Sequence, residues 1–232
     1  MTQGQPAAGS MESLYPFLYS GTTDLDAVLE QVRQSTVAKA GEITELRRVI
    51  GARDGARLMA CAADAAARFA AGGRLLAFGN GGSATDAQQL ATTFLNPGGA
   101  VSAGTGRPLP ALGLASDISV VTALCNDIGV DVVFARQIAA LGRRDDIAVG
   151  LSTSGNSENL LRAFDEASRR GMLTVGLAGY EGGQMAELDS IDYLFVAPSS
   201  AVHRIQEAQT TVYHVLWELI QQALAEPGEV RR

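Results

Sequence analysis

LLAFGNGGSATDAQQLATTF, residues 75–94, decides how the rest of the chain reads. A short apolar run, LLAF, enters a glycine-rich turn at Gly79, Asn80, Gly81, Gly82 and Ser83. The residues after the turn carry helical spacing, so the stretch predicts strand, turn and helix in that order. A turn of this kind places unpaired backbone N–H groups at a helix start, where they suit a phosphate. The glycines alone do not say whether that phosphate belongs to a nucleotide, a dinucleotide or a sugar.

Bulk composition narrows the choice. A chain of 232 residues with 47% hydrophobic content is long enough for one substantial core. The formal net charge of -7 leaves no basic field to draw in nucleic acid or an anionic membrane, so any phosphate must be held by local geometry. Nucleic acid and membrane are therefore not expected partners. Cys61 and Cys125 are the two cysteines, and no signal-peptide pattern or bilayer-length apolar run accompanies them. A cytoplasmic location is expected.

Residues 1–20 are small and polar and read as a flexible tail, with a second short tail at 227–232. Between them, 21–226 read as a single domain. Residues 22–50 repeat apolar positions at helical spacing, a long helix or a helix pair, and 55–71 read as a second, alanine-rich helix stopped by Gly72 and Gly73. Short apolar runs follow at 74–79, 109–114, 146–151, 173–178 and 192–197, each separated from the next by a segment of helical spacing. That alternation predicts a three-layer α/β/α sandwich around a five-stranded parallel sheet, Rossmann-like in its plan, with extra N-terminal helices and a final helix over about 201–225.

Two loops sit where such a sheet places its ligands, beyond a strand's carboxyl end and at a helix start. The first is Asn80, Gly81, Gly82 and Ser83. The second is STSGNS, in which Ser152, Thr153, Ser154, Asn156 and Ser157 follow one strand and lead into ENLLRAF. Helix-start amides and rotatable hydroxyls together make an anion site that needs neither lysine nor arginine. The plainer alternative is that Ser157 only caps its helix and the other hydroxyls are solvated. GNGGSA does fit G-x-G-x-x-A, but a dinucleotide fold wants an acidic residue about 20 positions on, and Asp117 stands about twice as far away. No Walker loop occurs in the sequence.

GNGGSATDAQQLA, STSGNS, GYEGGQMAEL and HRIQEAQTTVYHVL, in that order and spacing, resemble the sugar isomerase (SIS) domain family, most closely its phosphoheptose isomerase branch. The likeness spans about residues 25–225. It implies the SIS fold, a cytoplasmic homotetramer and interconversion of sedoheptulose 7-phosphate with a heptose 7-phosphate aldose. It further implies a sugar phosphate as ligand, held by Ser152, Thr153, Ser154 and Ser157 with help from Asn80 and Ser83.

Aldose–ketose isomerisation moves a proton between neighbouring carbons and needs a base within reach. In the active enzymes that this sequence resembles, the first helix supplies a histidine and a glutamate, and the last helix a glutamine and a histidine. These four can hold zinc. Here Gln206 and His214 stand at the last-helix positions, but Gln89 and Thr93 stand at the first-helix positions and Gln209 replaces a further histidine. Zinc thus has an incomplete site, with Gln206 and His214 as its weak remaining candidates. The candidate catalytic residues are His214, Gln206 and Glu207, with Asp86 a second carboxylate inside a retained motif; Glu207 and Asp86 equally suit structural roles. His203 stands where the family often carries a carboxylate. Two function classes follow: an isomerase with an altered acid and base set, or a phosphosugar-binding scaffold resembling the SIS partner of the bacterial replication initiator. Thr93 is the residue that discriminates them.

Overall fold

A computed structural model describes residues 25–96 and 106–225. The expected tails at 1–20 and 227–232, and most of the loop at 96–108, lie outside the described residues. The chain divides into two compact units, Met1–Glu42 and Ile43–Arg232. In the first unit the described residues are helical, with exposed faces tied by Glu30–Arg33 contacts one turn apart.

In the second unit, five strands form one parallel sheet: β1 (Leu75–Gly79), β2 (Ala111–Gly113), β3 (Ile147–Leu151), β4 (Leu173–Gly179) and β5 (Tyr193–Ala197), in the order β2-β1-β3-β4-β5. Every residue of β1, β3 and β4 is buried, the burial expected of a parallel sheet covered on both faces and the reason these strands read as unbroken apolar runs. Alternate side chains feed two cores. Leu75, Ala77, Ile147 and Val149 meet α1 (Leu25–Ala70, here through residues 43–69), α2 (Gly82–Leu95) and α6 (Val202–Ala225). On the opposite face, Leu76, Phe78 and Ala148 meet α4 (Val133–Leu141) and α5 (Glu158–Arg169). The α/β/α sandwich of the sequence reading is the observed architecture, and its strands fall within the expected runs except that β4 reaches Gly179, one residue further.

Two expectations are corrected. The helix pair expected on either side of residues 51–54 is one helix, α1, running through Gly51 and Gly55. An interior glycine costs roughly 1 kcal/mol, and burial of Ile50, Leu58, Cys61 and Phe69 on the same face outweighs it. Between β4 and β5 there is no α-helix but a 3₁₀ turn, Gly183–Glu187, whose Met185 fills the second core. The β2–β3 connection carries α3 (Ile118–Asp127) as well as α4.

Candidate functional site

The sheet order sets the site. From β1 the chain moves outward to β2 and then returns to β3 on β1's other side. The helices that follow the two adjacent strands therefore leave on opposite faces, α2 into the first core and α5 into the second. Such a reversal opens a crevice at the carboxyl ends of the strands, the place where open α/β sheets bind ligands. Both loops singled out in the sequence lie there.

Asn80 follows the end of β1, and Gly81 and Gly82 turn the chain directly into α2. Ser83 is buried in the helix's first turn, its N–H donating to the Asn80 carbonyl at 3.0 Å. On the other side Ser152 is buried and its Oγ accepts from the Gly155 N–H at 3.0 Å, while Ser154 Oγ accepts from the Asn156 N–H at 3.2 Å. Gly155 has φ +68° and lies so close to the Gly182 carbonyl that a Cβ would stand 1.9 Å from that oxygen. Asn156 Oδ1 accepts from the Gln184 N–H at 2.9 Å, and the Met185 N–H donates to the Gly155 carbonyl at 3.0 Å. The 179–185 motif thus serves as the wall against which the serine loop is shaped. Ser157 occupies the N-cap position of α5, yet its hydroxyl makes no capping bond, so the plainer reading of that serine does not account for it.

One residue, Asn159, and one contact, that of Gln209, escaped the sequence reading. Asn159, in the first turn of α5, exchanges side-chain amide hydrogen bonds with Asn80 at 2.9 Å in both directions. Gln209 donates from Nε2 to the Ser152 carbonyl at 3.2 Å, tying α6 to the serine loop. Neither has a local signal, because each pairs across more than fifty residues.

Deeper along the α2–α6 contact the chemistry changes. Gln206 packs against the start of α2, where a Cβ on Gly82 would lie 2.4 Å from its Nε2, and it hydrogen-bonds Asp86. Burial pushes the Asp86 carboxyl up from its ordinary range, and the Gln206 bond offsets this only in part. Tyr213 is likewise pushed up, first by burial, with the Asp86 charge adding to it. Asp86 Oδ2, Gln209 Oε1, His214 Nε2 and Trp217 Nε1 are buried without hydrogen-bond partners. The His214 ring lies edge-on to Tyr213 at 4.9 Å. Glu207 is ion-paired with Arg204 one turn earlier.

The two first-helix positions hold nothing that can take a proton near neutral pH. Thr93 is 4% exposed and its hydroxyl donates to the Gln89 carbonyl at 3.0 Å; Gln89 is an exposed amide. With two amides, a committed hydroxyl and one imidazole as donors, this set does not fit zinc, and among the described residues no group of three or more His, Cys, Asp or Glu converges elsewhere. A void of about 20 Å³ behind the seam is lined by Cys61, Leu90, Phe94 and Tyr213 among others. It is too small and too apolar for a sugar.

A family model for the SIS domain matches residues 40–179. Phosphoheptose isomerase of Pelodictyon phaeoclathratiforme is 40% identical over 205 residues, 88% of this chain and 93% of that one. The phosphoheptose isomerase of Desulfovibrio desulfuricans is 45% identical over 183 residues, 78% of this chain and 84% of its own length. Among solved structures, phosphoheptose isomerase from Neisseria gonorrhoeae superposes with a TM-score of 0.72 at 32% identity, over 82% of this chain and 99% of the other. Among the described residues no helix is long and apolar enough to cross a membrane.

Proposed function

This chain belongs to the SIS-domain family and is of the phosphoheptose isomerase type within it, and from that premise we propose that it binds a sugar phosphate in the β1/β3 crevice. The phosphate is taken by the hydroxyls and amides of Ser152, Thr153, Ser154, Asn156 and Ser157 and by the turn Asn80–Ser83. The observation that carries this reading is the pair of adjacent strand ends, each opening a helix, with a Ser157 hydroxyl that caps nothing. Helix-start amides and neutral hydroxyls supply the attraction for an anion in a chain with a net charge of -7.

On the sugar side stand Gln206, packed against the start of α2, and His214 further along the same helix α6, and the reaction they would serve is aldose–ketose isomerisation of a heptose 7-phosphate. Thr93 stands where the resemblance implies a glutamate base, and a missing general base forfeits about a hundredfold to ten-thousandfold in rate. Turnover of sedoheptulose 7-phosphate at least about a hundredfold below a family enzyme is the expectation. The second reading, phosphosugar binding without turnover, draws its support from the same observation, the Thr93 hydroxyl spent on its own helix.

Assembly and location belong to this proposal as well. No residue of α3 is buried, although Ile118 and Val120 lie in it and the exposed Ile128 and Val130 follow it. Apolar surface of that kind suits burial between copies, and a homotetramer in the cytoplasm fits it. Both described cysteines are free thiols, which suits a reducing compartment.

Thermal melting tests the ligand. Sedoheptulose 7-phosphate at about a hundred times its Kd adds about 2.7 kcal/mol of stability, and free sedoheptulose should add none. Equal shifts from the two would refute the phosphate assignment. Light scattering that gave a particle of 24.2 kDa, the single-chain mass, would refute the assembly.

A further inference from the structure

Asn80 and Asn159 are 79 residues apart and share two hydrogen bonds, each Nδ2 donating to the other's Oδ1 at 2.9 Å. Asn159 is 6% exposed, and its side chain makes no bond to the backbone of its own helix. That needs explaining, since a short polar side chain in a helix's first turn ordinarily bonds its local backbone. This one reaches across the sheet's switch point. Asn80 belongs to the turn that opens α2 on one face, and Asn159 to the first turn of α5 on the other. Among the described residues no other side-chain hydrogen bond joins the two turns; below them the β1–β3 ladder ends at Gly79 and Leu151.

We propose that Asn159 is a positioning residue for phosphosugar binding: its amide locks Asn80, so that the two helix starts are held at one fixed spacing and converge on a single anion. The inference rests on the phosphosugar reading above. Its physical content is preorganisation. Each turn by itself presents amides to solvent, and an anion bridging both must hold them together unless something else already does. A reciprocal amide pair does so without placing a charge beside the phosphate. It also fixes which edge of the Asn80 amide remains free, because one N–H and one lone pair are committed to Asn159.

A double-mutant cycle on the full chain tests it, with sedoheptulose 7-phosphate and inorganic phosphate titrated calorimetrically and the ligand-free melting temperature recorded for each protein. Asn159→Ala should weaken sedoheptulose 7-phosphate about tenfold, within the coupling range of contacting residues. Asn80→Ala with Asn159→Ala should be no more than about twofold weaker than Asn80→Ala alone, since the second change then has nothing left to unlock. Asn159→Ser is too short to keep the reciprocal pair with Asn80 and adds no charge, while its hydroxyl can bond its own helix's first turn. Its ligand-free melting temperature should therefore hold while affinity for both anions falls, and this variant carries the test if Asn159→Ala does not fold. Additive losses in the cycle overturn the proposal, as does a lowered melting temperature with unchanged affinity, which would mark Asn159 as structural only. Wild-type protein that binds neither ligand overturns the phosphosugar reading together with this one. Wild-type binding with an unaffected Asn159→Ala overturns this one alone.

Discussion

Gly155→Ala puts the shape of the serine loop to a quantitative test. The new methyl would stand 1.9 Å from the Gly182 carbonyl oxygen and 2.6 Å from its carbon, whereas ordinary contact begins at 3.4 Å. Relief needs the serine loop and the 179–185 turn to part by about 1.5 Å, too far for a hydrogen bond across them to survive. The bonds at stake are Met185 N–H to the Gly155 carbonyl at 3.0 Å and Gln184 N–H to Asn156 Oδ1 at 2.9 Å, worth about 1 kcal/mol each. Alanine at φ +68° adds a left-handed penalty of about 1–2 kcal/mol. The expected destabilisation is about 3–4 kcal/mol. Gly72→Ala is the control, because Gly72 has φ +88° and nothing within 4 Å of its Cβ position, leaving the conformational penalty of about 1–2 kcal/mol alone. Urea unfolding of both variants at one protein concentration, with m compared to wild type, separates the two effects. If Gly155→Ala costs no more than Gly72→Ala, the loop is not braced by the 179–185 motif and the reasoning fails.

Asp86→Asn should raise the melting temperature at pH 7. The folded-state pKa of Asp86 is raised, so as pH rises through the carboxylate range the unfolded chain ionises first and stability falls; the gain from Asn should vanish near about pH 3, where both states are protonated, and a gain independent of pH would contradict this. Gln89→His with Thr93→Glu should confer zinc retained through dialysis, because two new ligands one turn apart would face Gln206 and His214; equal zinc in the wild type, measured by atomic emission, would show that the donor argument is wrong. Gln209→Leu should keep stability within about 1 kcal/mol, since one bond to Ser152 is lost together with a buried unpaired oxygen. Gln209→Glu, which sets a carboxylate against the Ser152 carbonyl, should cost about 3 kcal/mol by chemical denaturation.

What the sequence discloses follows from how far each signal reaches. β1, β3 and β4 are legible because burial on both faces demands unbroken apolar runs, and the two ligand loops because their turns need glycine and their helix starts favour small polar residues. Gly51 and Gly55 misled, since a glycine pair reads as a break when the burial that carries a helix through it is unknown. The β4–β5 connection misled for a related reason: Met185 is apolar at a plausible helical position, but it fills the core from a single 3₁₀ turn. Asn159 was invisible in principle, and so was the role of Gln209, which the sequence shows only as a replaced histidine: both are ordinary amides whose partners lie 79 and 57 residues away. Thr93 could be named from the sequence as a departure, but only the structure shows its hydroxyl already engaged.

That engagement bears on why this chain can depart from the isomerases at one end of its site and not at the other. The anion loops are shaped by backbone: the ladder that ends at Gly79 and Leu151, the left-handed Gly155 pressed on Gly182, and the amide pair of Asn80 with Asn159. A substitution there moves main chain and is felt on both faces of the sheet. Residues 89 and 93, by contrast, project from the middle of a helix whose own hydrogen bonds do not depend on them. Threonine at 93 satisfies itself by returning its hydroxyl to the Gln89 carbonyl one turn back, so losing a carboxylate leaves no unpaired group behind. On the proposed reading, anion binding and proton transfer would fall to separable parts of one fold, and replacements at 89 and 93 would remove the second while the first stays under structural constraint.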